Sequence, residues 1–386
     1  MRPRFHLQSL VLFFCLLSCV DRIHFDVPGQ LKYPVAIEGF ISNQPGPYEI
    51  NVTNSFDIDS DQATKTPASV KKMTILDDIG NSEILTEHAT GNYKTDPSGI
   101  RGVIGRVYRL RVELLNGDVF ESTPDTLREP GSLDSVYTRF EIVNSGGPPK
   151  YAFRVLFNST NEGTSSRCFQ WTFTATYKVN TVPEADREGE ACGTPLDCEK
   201  CSICNLVWKC SGIRNVGTPK DPVFVRMFPC TCCTCWYSIY NELPIMASLD
   251  GLKGIHMRGA LAGSVAVDDI IFQNKVIVEV QQQSISDNTY RFYRGINIQH
   301  DAVNSLFQPV SGKLPGNFVQ EKDGVPPVLG VFYAAGVARK ILTINRNDIP
   351  FGTYVLLPEF PPPVVGANCH NLRPHSTNER PAIWED

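Results

Sequence analysis

Along most of the chain apolar and polar residues alternate in steps of two, the period of a strand buried on one face, and helical spacing is scarce. Val35-Ala36-Ile37-Glu38-Gly39-Phe40-Ile41 leads through Asn43-Gln44-Pro45-Gly46-Pro47 into Tyr48-Glu49-Ile50-Asn51-Val52, which predicts a strand, a Pro/Gly turn and a returning strand. Val70 to Leu76, the turn Asp77-Asp78-Ile79-Gly80-Asn81 and Ile84-Leu85 predict a second such unit. In a third, Tyr108, Leu110, Val112 and Leu114 share a face, and Asn116-Gly117 supplies the positive-φ pair of a tight turn before Val119 and Phe120. Residues 33–129 therefore read as an N-terminal immunoglobulin-like β-sandwich.

Pro130-Gly131 marks a boundary, after which residues 130–356 read as a second β-rich domain. Val136 to Ile142 and Tyr151 to Phe157 predict its first strands. In its best strand Phe169, Trp171, Phe173, Ala175, Tyr177 and Val179 alternate with Gln170, Thr172, Thr174 and Thr176, so the apolar side must be buried. Val223 to Phe228, Ile270 to Phe272, Val276 to Val280, Val328 to Tyr333 and Lys340 to Ile344 follow as strands. One helix is predicted after Ser284-Ile285-Ser286-Asp287, with Ser286 placed to cap and Tyr290 and Tyr293 on a packing face. Residues 357–386, from Pro361-Pro362-Pro363 to Trp384, read as an extended tail pinned by the tryptophan. The expected fold is mainly β: two tandem β-sandwich (immunoglobulin-like) domains, with a cysteine-rich insert at about 181–235 and one short helix in the second.

The N-terminus adds an address. Arg2 and Arg4 precede the apolar run Leu10-Val11-Leu12-Phe13-Phe14-Cys15-Leu16-Leu17, too short to span a bilayer, so residues 1–18 read as a removable signal. Leu16-Leu17-Ser18-Cys19 resembles a bacterial lipobox, which makes Cys19 the lipidated first residue of the mature chain and 19–32 its linker; a plain secretory signal cut nearby is the alternative. A 42% hydrophobic and 20% charged composition is that of a globular protein. The formal charge of −5 and the absence of a Lys/Arg block speak against a nucleic-acid partner.

Beyond Cys15 and Cys19 lie eleven cysteines: Cys168, Cys192, Cys198, Cys201, Cys204, Cys210, Cys230, Cys232, Cys233, Cys235 and Cys369. The Cys198-x2-Cys201-x2-Cys204 spacing suits zinc or an iron–sulfur centre, whereas an exported chain meets an oxidising compartment where disulfides form first. Disulfides are the reading taken, with no metal and no cofactor expected. Eleven is odd, so one thiol should stay free or pair with another chain, and the adjacent Cys232 and Cys233 should each reach a different partner. No Gly-x-Ser-x-Gly elbow, His-Glu-x-x-His site or phosphate-binding loop is present, and the mature histidines are scattered; His370 and His375 beside Cys369 form the one other grouping with metal-ligand chemistry. Nothing in the residues requires an enzyme.

Taken in order, Val35 to Ile41 with Pro45-Gly46-Pro47, Gly91-Asn92-Tyr93, Tyr108-Arg109-Leu110, Leu133-Asp134-Ser135, Cys235-Trp236, Val278 to Ser286, Tyr290 with Tyr293, Phe307-Gln308-Pro309-Val310, Gly316-Asn317, Val328 to Phe332 and Pro381 to Trp384 form a collinear set of blocks. The set resembles a lipoprotein family of Bacteroidota catalogued as a domain of unknown function, family 4249. That resemblance implies an outer-membrane lipoprotein, often encoded beside a TonB-dependent receptor of the starch-utilisation type and serving it as lid, scaffold or substrate-handling subunit. Family tails resemble Cys-x-x-Cys, but here Leu372 holds the second position, which implies that Cys369 lacks a local partner. Asp125-Thr126-Leu127 and Asp134-Ser135-Val136 also resemble the O-glycosylation signal of these bacteria.

The expectation is thus a non-catalytic accessory subunit anchored to the outer membrane through lipid on Cys19, beside a TonB-dependent receptor. A surface-anchored hydrolase or metal-dependent enzyme with its site in the cysteine-rich insert is the first alternative, and a structural adhesin the second.

Overall fold

Strands form where the alternation is strictest. The computed structural model describes residues 35–54, 66–143, 150–162, 165–182, 210–215, 221, 223–227, 229–241, 243–250, 254–303, 314, 316–322, 324, 327–350, 364–365 and 368–385. The first hairpin joins β1 (Val35–Ser42) to β2 (Glu49–Asn54), with Ile37 opposite Val52. β3 (Thr66–Pro67), β4 (Val70–Asp77), β5 (Ser82–Ile84), β6 (Thr86–Ala89), β7 (Asn92–Lys94), β8 (Val107–Leu114), β9 (Val119–Ser122) and β10 (Asp125–Thr126) follow. β4, β5, β8, β9 and β10 form one sheet, while β2 carries β3 and β7 into another. Ile37, Ile41, Ile50 and Val52 of that sheet share a core with Met73, Ile75, Leu110, Val112 and Phe120 of the first. The tight turn expected after β8 forms, but without the expected positive-φ pair: Gly117 alone takes φ +86°, a conformation other residues adopt only with strain, and Asn116 does not.

The second region begins with β11 (Ser132–Val143), β12 (Lys150–Glu162) and the fifteen-residue β13 (Cys168–Val182). Short strands β14 (Ile213–Asn215), β15 (Phe224–Arg226), β16 (Thr234–Tyr240) and β17 (Ile245–Ser248) lead to β18 (Gly254–Ala266), β19 (Val276–Ile285) and helix α1 (Asp287–Val303). β11, β12 and β18 form a three-stranded sheet. Its Phe153, Val155 and Phe157 pack on Phe169, Trp171, Phe173 and Tyr177 of β13 and on Val276, Val278 and Val280 of β19. Residues 270–272 are not the strand that their apolar run predicts. Asp268 Oδ1 accepts from Ile270 N and Ile271 N, at 2.9 and 2.7 Å, and this local capping bends Ile271–Gln273 into a 3-10 turn. Helix α1 starts as expected, with Ser286 Oγ accepting from Thr289 N at 3.3 Å.

β20 (Phe318–Gln320) adds to β9, and β21 (Leu329–Ile344) then ties the two regions together. The sequence predicts two strands, 328–333 and 340–344, but Ala334-Ala335-Gly336-Val337-Ala338 continues the first into the second as one strand of 16 residues. β21 runs parallel to β1 and antiparallel to β19, so a single sheet passes β16-β13-β19-β21-β1-β2-β7-β6 through both expected domains. Phe332 and Ala334 of β21 enter the first core, and Leu342 and Ile344, on the same face, join the second. Between them Gly336 is required, because a Cβ there would lie 2.2 Å from Arg128 O. Tyr33–Asp386 is accordingly one unit, and besides these two cores a third, smaller cluster packs Phe292 of α1 on Val331, Tyr333, Ala335 and Val337 of β21. β22 (Val364–Val365) pairs with the end of β13, and the short α2 (Cys369–Leu372) leads to Trp384, which is 5% exposed and packs edge-on to Trp236.

Candidate functional site: a polar groove on the shared sheet

Two cores lie on one face of the long sheet; on the opposite face α1 covers a third cluster around Phe292, Tyr333 and Val337, and the part of that face beside it stays open. Register places Gln170 opposite Gln283, Thr172 opposite Gln281 and Thr174 opposite Glu279, with Arg339 of β21 beside Gln281. These residues are the alternate positions of strands whose other side chains are core. Glu38 and Phe40 extend the face onto β1, and the turn after β1 closes one edge: Asn43 Oδ1 accepts from Val337 N at 2.7 Å, and Gln44 Nε2 donates to Val337 O at 3.0 Å. Tyr240, Asn241 and Pro244 form the opposite rim, and α1 overhangs with Tyr293. The result is an open groove of about 1190 Å³.

At one end the polar groups are tightly bound to one another. Gln170 Nε2 donates to Gln283 Oε1 (2.6 Å) and to Tyr333 Oη (3.0 Å), and Tyr333 Oη lies 3.1 Å from Gln283 Oε1. Tyr293 Oη donates to Glu38 Oε1 at 2.8 Å, its ring meets Tyr333 edge-on, and Tyr333 stacks on Phe40. Burial, reinforced by the charge of Glu38, holds the Tyr333 hydroxyl well above the ordinary tyrosine value. Tyr293 is raised by burial first, then by Tyr333 and Glu38. Both phenols are therefore hydrogen-bond donors, not bases, at neutral pH.

Other polar groups of the groove are left over, one of them on Gln170 itself. Gln170 is 2% exposed, yet its Oε1 accepts no hydrogen bond. Glu279 Oε1 is also without one, its nearest cation being Arg339 Nη1 at 3.7 Å. Among the described residues, Thr172 and Gln281 make no side-chain hydrogen bond within the protein. Glu49 pairs with Lys94 at 2.7 Å, while Glu38 is held by the Tyr293 hydroxyl and not by a cation.

The cysteines lie elsewhere. Cys210 bonds Cys232, Cys230 bonds Cys233, and Cys235 bonds Cys369, so the neighbouring Cys232 and Cys233 do reach different partners. Cys369, expected to lack a local partner, finds one 134 residues away, both sulfurs being fully buried at the end of the second core. Cys168, counted among the disulfide candidates, is instead a free buried thiol, because it starts β13 on the face turned to α1, where its Sγ reaches Asp287 Oδ1 at 3.2 Å. Burial, then Asp287, pushes that thiol up to about 11. Cys19, Cys192, Cys198, Cys201 and Cys204 fall outside the described residues. His370 is engaged by Ser376 and Asn378, both at 2.9 Å, and no group of three or more His, Cys, Asp or Glu that could hold a metal occurs among the described residues. Of the two glycosylation-like triplets, Asp125-Thr126-Leu127 is closed in: Asp125 is 6% and Leu127 0% exposed. Asp125 accepts from Arg128, Ser286 and the amide of Ala334, knitting β10 to α1 and β21.

A family model described as "Domain of unknown function (DUF4249)" matches residues 21–341. The chain belongs to this family. The matched span contains every residue lining the groove and stops within β21, leaving Cys369 and the tail beyond it. No curated protein matches the chain. Similar solved structures include a mutant of Salmonella alpha-2-macroglobulin, at 10% identity over 86% of this chain and 16% of that one, with a TM-score of 0.16. Another is trypsin-activated alpha-2-macroglobulin from Escherichia coli, at 8% identity over 69% of this chain and 15% of that one, TM-score 0.15. The chain spans less than a fifth of either protein, and at these scores neither likeness informs fold or activity.

Sequence reasoning singles out several groove residues without joining them. The alternation shows Gln170, Thr172 and Thr174 turned away from the core, and Val278 to Ser286 is a family block. What a linear reading lacks is the pairing of β13, β19, β21 and β1, strands separated by up to nearly three hundred residues, which alone brings these side chains to one surface.

Proposed function

We propose that this protein is a non-catalytic accessory subunit of an outer-membrane uptake complex, lipid-anchored at Cys19 beside a TonB-dependent receptor. The observation that carries the reading is the groove: a wide, open sheet face lined by amides, hydroxyls and tyrosines that are protonated donors. Such a surface recognises a ligand and releases it, where catalysis asks for convergent groups of matched pKa. The lipobox-like Leu16-Leu17-Ser18-Cys19 and the three disulfides among the described residues support an envelope location, where thiols oxidise. A triacylated cysteine exceeds the two chains that stable membrane residence needs.

Fractionation and gentle-detergent affinity purification test this reading together. The wild type should sediment with outer membranes and bring a TonB-dependent barrel with it, while Cys19→Ala should be released in soluble form. A wild-type protein recovered soluble, or membrane-bound but alone, would contradict the proposal.

A further inference from the structure

The groove also carries information about what it holds. We infer that its ligand is an uncharged oligosaccharide, seated across the outer face of β13, β19 and β21. This rests on reading the protein as a recognition subunit and names the class of cargo.

The argument proceeds by chemistry. Glu279 faces Arg339, Glu49 is paired with Lys94 and Glu38 accepts from Tyr293, so the lining offers neither a free cation for an anionic ligand nor a free carboxylate cluster for a cation. An apolar ligand would bury the amide of Gln281 and the hydroxyl of Thr172 without partners, at a cost for each. A peptide held by backbone pairing needs a sheet edge; β19 is paired on both sides by β13 and β21, and only β21 beyond Val337 leaves an edge, at the margin of the groove.

What remains is a neutral ligand rich in hydroxyls, each able both to donate and to accept. The uncommitted amide of Gln281 offers both donor and acceptor and Thr172 adds a hydroxyl, whereas Gln170 Oε1 and Glu279 Oε1, though unpartnered, are closed off from solvent. Tyr240, 67% exposed at the rim, supplies an aromatic plate for the apolar face of a sugar ring. At about 1190 Å³ the groove exceeds the usual range of small-molecule pockets, roughly 300–1,000 Å³, which favours several linked rings over one.

Calorimetric titration of the detergent-solubilised mature lipoprotein decides the matter. Maltohexaose, cellohexaose, xylohexaose and mannohexaose serve as neutral probes, with oligogalacturonate and a neutral hexapeptide as comparisons. At least one neutral hexasaccharide should saturate with a Kd between roughly 10 μM and 1 mM. Gln281→Ala and Arg339→Gln should each weaken it by about tenfold or more. Gln281→Ala, which removes no contact within the protein, should leave the melting temperature unchanged, which separates lost contacts from lost folding. Four results overturn the inference: no neutral probe binding up to about 10 mM, stronger binding of the acidic sugar, stronger binding of the peptide, or saturation that both substitutions leave intact. No receptor is present in the titration, so failed co-purification with a barrel would sink the uptake reading and leave this result standing, and the converse also holds.

Discussion

β13 and β19 present two unlike faces from one hydrogen-bonded ladder. Toward the three-stranded sheet they turn Phe169, Trp171, Phe173, Val278 and Val280, all at most 2% exposed. Away from it they turn Gln170, Thr172, Thr174, Glu279 and Gln281, which floor the groove. The contrast is sharpest in Gln281-Gln282-Gln283, three identical residues in a row. Gln281 and Gln283 face the groove, while Gln282 points inward, fully buried, where its Oε1 accepts from Trp171 Nε1 (2.8 Å) and Ser159 Oγ (2.6 Å) and its Nε2 donates to Asn161 (2.8 Å). A residue's type therefore says little here about its role, and the face on which the pleat places it says nearly everything.

Substitutions that break this comparison should separate by face. Trp171→Ala removes the largest fully buried side chain and leaves the Gln282 acceptor short of a donor; it should cost about 3–5 kcal/mol, read from urea unfolding. Cys369→Ala opens the bridge to Cys235 that anchors the tail, and should lower stability by about 2–4 kcal/mol under oxidising conditions. With dithiothreitol present the variant and wild type should converge. Gln282→Ala orphans Trp171 Nε1 and Asn161 and should cost about 2–3 kcal/mol, whereas Gln281→Ala, one residue earlier, should change stability by less than about 0.5 kcal/mol. Equal effects at 281 and 282 would contradict the assignment of faces.

Asp125 refines the picture, being a charged group on the buried side. Burial raises its pKa despite Arg128, so the folded state holds its proton to higher pH than the unfolded chain. Its contribution to stability is present in full below the ordinary aspartate value of about 4 and is lost as pH rises through the folded value. The difference in unfolding free energy between wild type and Asp125→Asn should therefore shift against the wild type across that window. A flat difference would show that Asp125 titrates as it does in the unfolded chain.

The sequence made the β class legible because alternation is a local signal: Tyr108, Leu110, Val112 and Leu114 are buried together as predicted. Ser286 was equally visible as a cap. Two local signals misled. The apolar run at 270–272 hid the capping power of Asp268, and the small residues 334–338 read as a break although β21 needs them to pass Arg128. The groove was half legible, since its polar positions stand out on each strand but their union depends on long-range pairing. The Cys235 to Cys369 bridge was invisible for the same reason.

Hydrogen exchange, followed by mass spectrometry with and without the tightest-binding neutral hexasaccharide, tests the recognition face most directly. The account predicts slowed exchange in the turn at 43–47, at Tyr240 and Asn241 of the rim and around Tyr293 of α1, with the edge strands β5 and β6 unchanged. Protection confined to the far end of the first sandwich, around the exposed Ile79, Ile84 and Val103, or no protection anywhere, would contradict it.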